Sequence, residues 1–150
     1  MVDSREKGSR AELLVKKELI RLTGLGFQRV PGSGALAPVH GLKADIYVPN
    51  EKNLYAIEVK HYKEDHLTSS IITGKNPQVL EWWKQAVRQG EQTGKKPLLI
   101  FKFDRSKIFV GFESIVTGTY RYITISVDDY LLNVALLEDW VTNEKPEFIK

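Results

Sequence analysis

The chain has 150 residues, 42% of them hydrophobic and none of them cysteine, which suffices for one domain over residues 1–150 with its own core and excludes disulfides and thiolate metal sites. No apolar run approaches the ~20 residues of a membrane span, and the polar N-terminus lacks the apolar stretch of a signal peptide. The expectation is a soluble cytoplasmic protein (nucleoid-associated, or viral in an infected cell), not secreted and without a membrane partner. Lysine and arginine outnumber aspartate and glutamate by 22 to 19, a net charge of +3 compatible with a polyanionic ligand.

Residues 4–23 predict a helix, because Ala11, Val15, Leu19 and Leu22 recur at helical spacing. Gly24 and Gly26 stop it. Phe27–Val30 predicts a short strand, followed by the loop Pro31-Gly32-Ser33-Gly34-Ala35, which runs on to about Leu42. Ala44–Val48 and Leu54–Tyr62 predict an antiparallel hairpin about the turn at 49–53. A polar loop at 63–76 leads to a helix over Val79–Gln92, stopped by Gly94 and Pro97. Leu98–Phe103, Lys107–Phe112 and Arg121–Val127 predict strands, and Asp128 is placed to N-cap a last helix reaching about Val141. Strands interleaved with helices imply an α/β sandwich around a mixed sheet. The 10–23 and 79–92 helices are expected on opposite faces of it, or packed together beside the central strands.

Chemistry concentrates at Ile57-Glu58-Val59-Lys60. On a strand, Glu58 and Lys60 point to one face while Tyr55, Ile57 and Val59 point to the other, which is wholly apolar and should be core. Asp45 stands on the preceding strand of the hairpin, so two carboxylates can converge. Such a hard oxygen site, with the Val59 carbonyl and waters completing it, suits Mg²⁺, with Mn²⁺ as a substitute. Lys60 would then hold the attacking water and offset charge in phosphodiester hydrolysis. The plainer alternative is a solvated Glu-x-Lys ion pair, common on exposed strands.

With Asp45, twelve intervening residues and Glu58-Val59-Lys60, the chain resembles the PD-(D/E)xK nuclease superfamily, although Ala44 stands where the name has proline. The finer resemblance is to archaeal-type Holliday-junction resolvases and their phage relatives. It rests on Lys7-Gly8-Ser9-Arg10-Ala11-Glu12 on the first helix and Val30-Pro31-Gly32-Ser33-Gly34 in the loop, and it covers about residues 5–110. The resemblance implies a restriction-endonuclease-like α/β/α sandwich with a central mixed β-sheet. It also implies a Mg²⁺-dependent endodeoxyribonuclease with Glu12, Asp45, Glu58 and Lys60 in the active site, Glu12 reaching the metal through water. Four-way DNA junctions are the substrate it implies. A restriction-like or repair endonuclease on duplex or damaged DNA is the alternative within nucleases, and a non-catalytic DNA-binding module the alternative outside them.

Other residues carry open readings. Glu12 borders the buried helix face, but Ser9 and Glu12 also fit a capping box if the helix starts late, and Lys16 lies one turn on. Ser33 and its glycines can meet a phosphate or simply make a turn. Arg5, Lys7 and Arg10 suit a DNA backbone or a solvated terminus. Gln85, on the 79–92 helix, is the candidate polar residue beside the metal, on the resemblance. His40, His61 and His66 lack metal spacing and are expected at the surface. A homodimer is expected, because one domain holds one site and a junction needs two nicks. Trp82 and Trp83, which as neighbours are not both expected in one core, and the apolar run 130–137 are the surfaces offered for it.

Overall fold

The computed structural model describes residues 4–31 and 44–150, with side chains from Gly8 onward in the first helix. Helix α1 (Ser4–Thr23) precedes the short strands β1 (Gln28–Arg29) and β2 (Ile46–Tyr47) and the long strand β3 (Tyr55–Tyr62). A single turn of helix, α2 (Ser70–Thr73), interrupts the polar loop before α3 (Gln78–Thr93). Strands β4 (Lys96–Phe103), β5 (Phe109–Phe112), β6 (Tyr122–Val127) and β7 (Tyr130–Leu136) lead to α4 (Leu137–Glu144). Gly24 and Gly94 end α1 and α3 with positive φ, the left-handed turn that glycine adopts without steric cost.

The strands form one mixed sheet in the order β1-β2-β3-β4-β5-β7-β6. Among the described strands only the central pair, β3 and β4, is parallel, and α3 makes the crossover between them. The sheet separates two apolar layers. On one side Val15 and Leu19 of α1 and Trp140 of α4 pack with Ile57, Val59, Leu98 and Ile100. On the other, Val79, Leu80, Trp82, Trp83 and Ala86 of α3 pack with Leu99, Phe101, Phe103, Leu132 and Val134. The two long helices therefore lie on opposite faces, the first of the two expected arrangements. The result is the expected α/β/α sandwich.

Three expectations are corrected. Residues 128–141 are not one helix: β6 and β7 pair as a hairpin with Val127 opposite Tyr130, and Asp128 sits in the turn at φ 53 rather than capping a helix. β7 lies between β5 and β6, and Leu132–Ala135 are buried from both sides. A strand covered on both faces is a continuous apolar run, the same signal a buried helix gives. Trp82 and Trp83 are both buried within the one chain. Neighbouring helical residues differ by only about 100°, and the buried arc of a helix lying flat on a sheet is at least that wide. Neither tryptophan nor most of the 130–137 run is available as an association surface. Finally, His61 and His66 are half-buried, His61 against Asp104 and His66 among Tyr62, Trp82 and Phe103.

Candidate active site

The site begins with the backbone around Asp45. Its amide donates to the Ile57 carbonyl (2.8 Å), and its carbonyl accepts from the Val30 amide (2.9 Å), so the residue is pinned between neighbouring strands one position before β2 begins. The Asp45 carboxylate accepts the Val59 amide through Oδ2 at 2.8 Å, which holds it against β3 beside Glu58.

Strand period then separates β3 into two faces. Tyr55, Ile57 and Val59 enter the layer under α1, as expected. Glu58 and Lys60 point to the α3 side, where Glu58 is only 6% exposed. Two groups hold its Oε1: Gln85 Nε2 of α3 donates at 3.1 Å and Lys60 Nζ lies at 3.6 Å. Burial, and secondarily the charge of Asp45, push the Glu58 carboxyl up to about 8, with Lys60 and Gln89 pulling the other way. Two carboxylates held together, one of them desolvated, make an oxygen donor set that gains from a hard divalent cation. The donor chemistry thus fits the metal, with the Val59 carbonyl on the same stretch of strand.

Glu12 occupies a different position. Helix α1 starts at Ser4, so Glu12 is well inside it and the Ser9 capping box does not form. Its carboxylate, 15% exposed, pairs with Arg29 Nε at 3.4 Å. Among the described residues, no group of three carboxylates or histidines is close enough to hold a metal ion. Arg10 lies exposed on α1. Arg5 and Lys7 belong to the same helix, but their side chains, like Ser33 altogether, lie outside the described residues.

Two partners besides Gln85 join these carboxylates, Gln89 at Glu58 and Arg29 at Glu12. Gln89 follows Gln85 by one helical turn, so the same face carries both, a signal present in the helical spacing. Arg29 is the basic residue of a two-residue strand, and nothing local in the sequence ties it to Glu12 seventeen positions earlier.

An α/β/α sandwich with Asp45 directly before β2 and Glu58 and Lys60 on the adjoining central strand β3 has the make-up of a PD-(D/E)xK nuclease. The sequence profile of the "Phage putative PDDEXK endonuclease" family matches residues 3–150, and the chain belongs to that family. It is 38% identical to Protein D14 of Escherichia phage T5, over 97% of this chain and 96% of that protein. Among solved structures it is similar to Archaeoglobus fulgidus Hjc, a Holliday junction resolvase, with 18% identity and a TM-score of 0.42 over 91% of this chain and 89% of that one. No helix among the described residues is long and apolar enough to cross a membrane.

Proposed function

We propose that this nuclease is a structure-selective endodeoxyribonuclease that nicks four-way DNA junctions as a homodimer, with Mg²⁺ as its metal. The observation that carries the catalytic part is the buried Glu58, held between Gln85 and Lys60 and next to the pinned Asp45. A solvated surface ion pair does not require that burial. The junction part is supported by the motifs shared with resolvases: the Lys-Gly-x-x-x-Glu helix, the Gly-Ser loop and the Glu-x-Lys strand. Among the described residues no element presents itself for reading base edges, so selectivity falls to shape and backbone.

Asp45, Glu58 and the Val59 carbonyl would hold the metal, and Glu12, which pairs with Arg29, would reach it only through water. When bound, the ion lowers the pKa of a water and stabilises charge on the phosphoryl oxygens. The rest of the work belongs to the chain. Gln85 fixes the Glu58 carboxylate by donating to it, and the Val59 amide does the same for Asp45. Lys60 holds the attacking water by hydrogen bond and neutralises charge that grows on the phosphate. Attack in line breaks the P–O3′ bond and leaves a 5′-phosphate. Arg5, Lys7, Arg10 and Ser33 are proposed to contact the DNA backbone.

Incubation of the protein with labelled four-way junction, linear duplex and single strand, with and without Mg²⁺ or Mn²⁺, tests the reading. Paired nicks in the junction that depend on the metal are expected. Equal competition by linear duplex and by unlabelled junction would replace the resolvase with a general endonuclease. Failure to cut any DNA would leave a binding module.

A further inference from the structure

With the tryptophans and most of the 130–137 run absorbed into the core, the dimer needs another face. Strand β6 is the last of the sheet, with β7 as its one neighbour among the described residues. Alternate peptide groups along its outer side therefore have no strand to bond. Soluble proteins usually guard such an edge with charge, proline, a bulge or a cover. Tyr122-Ile-Thr-Ile-Ser-Val127 has neither charge nor proline, and Ile123 is 49% exposed. An open groove of about 630 Å³ runs along residues 123–127, walled on its other side by Ile71, Ile72 and Pro77. Ile72 is 89% exposed, which is costly for an isoleucine that nothing covers. The groove is of the kind that takes an extended strand.

We infer that β6 is the self-association edge: it pairs antiparallel with β6 of a second copy across a two-fold axis perpendicular to the sheet. The inference rests on the dimer of the proposed function and adds where it forms. Because such an axis preserves the faces of the sheet, the strand must pair about one of its own residues. Centring on Ile125 sets Thr124 opposite Ser126, and Ile123 opposite Val127, of the second copy. Ile123, Ile125 and Val127 share a face by strand period, so the seam carries a continuous apolar stripe. This register also brings Arg121 opposite the second copy's Asp128–Asp129 turn, and symmetry repeats the match at the other end. Arg121 and Asp129 are exposed, and neither has an ion-pair partner among the described residues. Centring on Thr124 instead puts Arg121 opposite Val127, and centring on Ser126 puts it opposite Leu131, so charge selects the Ile125 register.

Sedimentation of the whole protein at micromolar concentration tests the edge. Wild type should be a dimer and Ser126→Lys a monomer with the wild-type circular-dichroism spectrum, melting where wild type melts once dilution has dissociated it. Arg121→Asp should weaken association at least ~10-fold, and adding Asp129→Arg should restore it. Ile125→Cys should form a disulfide-linked dimer under mild oxidation, since opposed Cα atoms in an antiparallel pair lie ~4.5–5.5 Å apart, within disulfide reach, and the chain has no other cysteine. Ser126→Cys should cross-link far less. A wild-type monomer, a wild type that associates only with foreign extended peptides, or a dimer that survives Ser126→Lys, overturns the inference. The nuclease reading is judged separately by metal-dependent cutting. Ser126→Lys should keep single nicks and lose paired ones; a dimer broken by Ser126→Lys with no cutting by wild type would sink the nuclease and leave the edge standing.

Discussion

Ile57 and Glu58 are consecutive on β3 and meet opposite surroundings. The Ile57 side chain enters the apolar layer beneath α1, where it contributes through transfer from water and close packing. Glu58 is buried almost as deeply on the other face, yet it is charged or protonated according to its neighbours: Asp45, Lys60, Gln85 and Gln89. Equal burial therefore carries opposite costs. The apolar face stabilises the sheet, and the polar face spends some of that stability to keep two carboxylates together.

Removing one charge from the polar face should have the largest effect. Glu58→Gln or Asp45→Asn keeps side-chain shape, so folding and DNA binding should persist while cleavage disappears; a variant cutting at wild-type rate would dissolve the distinction between the faces. Lys60→Ala should slow single-turnover cleavage by ~10²-fold or more, the scale for losing a positioned proton-transfer or charge-stabilising group. An undiminished rate would return Lys60 to the role of a surface ion pair. Glu12→Gln should leave melting nearly normal, because Arg29 is exposed enough to be solvated, and reduce cleavage; normal cleavage would confine Glu12 to its ion pair.

The apolar face should respond in stability instead. Ile57→Ala should cost about 2–5 kcal/mol in denaturant unfolding, the range for truncating a buried aliphatic side chain, with cleavage per folded molecule unchanged. Loss of activity in protein that remains folded would show the two faces to be coupled. A further effect concerns pH in metal-free protein. Burial and Asp45 raise Glu58 from an ordinary 4.5 to about 8. Its contribution to stability is thus fully present below 4.5 and is lost as pH rises through 8. Melting in chelator should therefore fall more between pH 5 and 9 for wild type than for Glu58→Gln. Parallel curves would show that Glu58 ionises freely in the fold.

Much of this was legible along the chain. The period of β3 dictated that Glu58 and Lys60 share a face and that Ile57 and Val59 form the core, since a strand allows nothing else once one face is buried. The spacing of Ala11, Val15 and Leu19 defined α1 in the same local way. What lay beyond local pattern was decided by packing. Only the sheet order shows that β7 is covered on both sides, so that its apolar run is a strand rather than a helix. The flat seating of α3 on the sheet lets Trp82 and Trp83 both be buried, and the same seating carries Gln85 to Glu58 across 27 positions. Glu12 pairs with Arg29 rather than with Lys16 one turn on, because the fold lays β1 alongside α1. Periodicity reports which way a residue faces; which partner waits there depends on how distant segments are brought together, and that information is not local in the sequence.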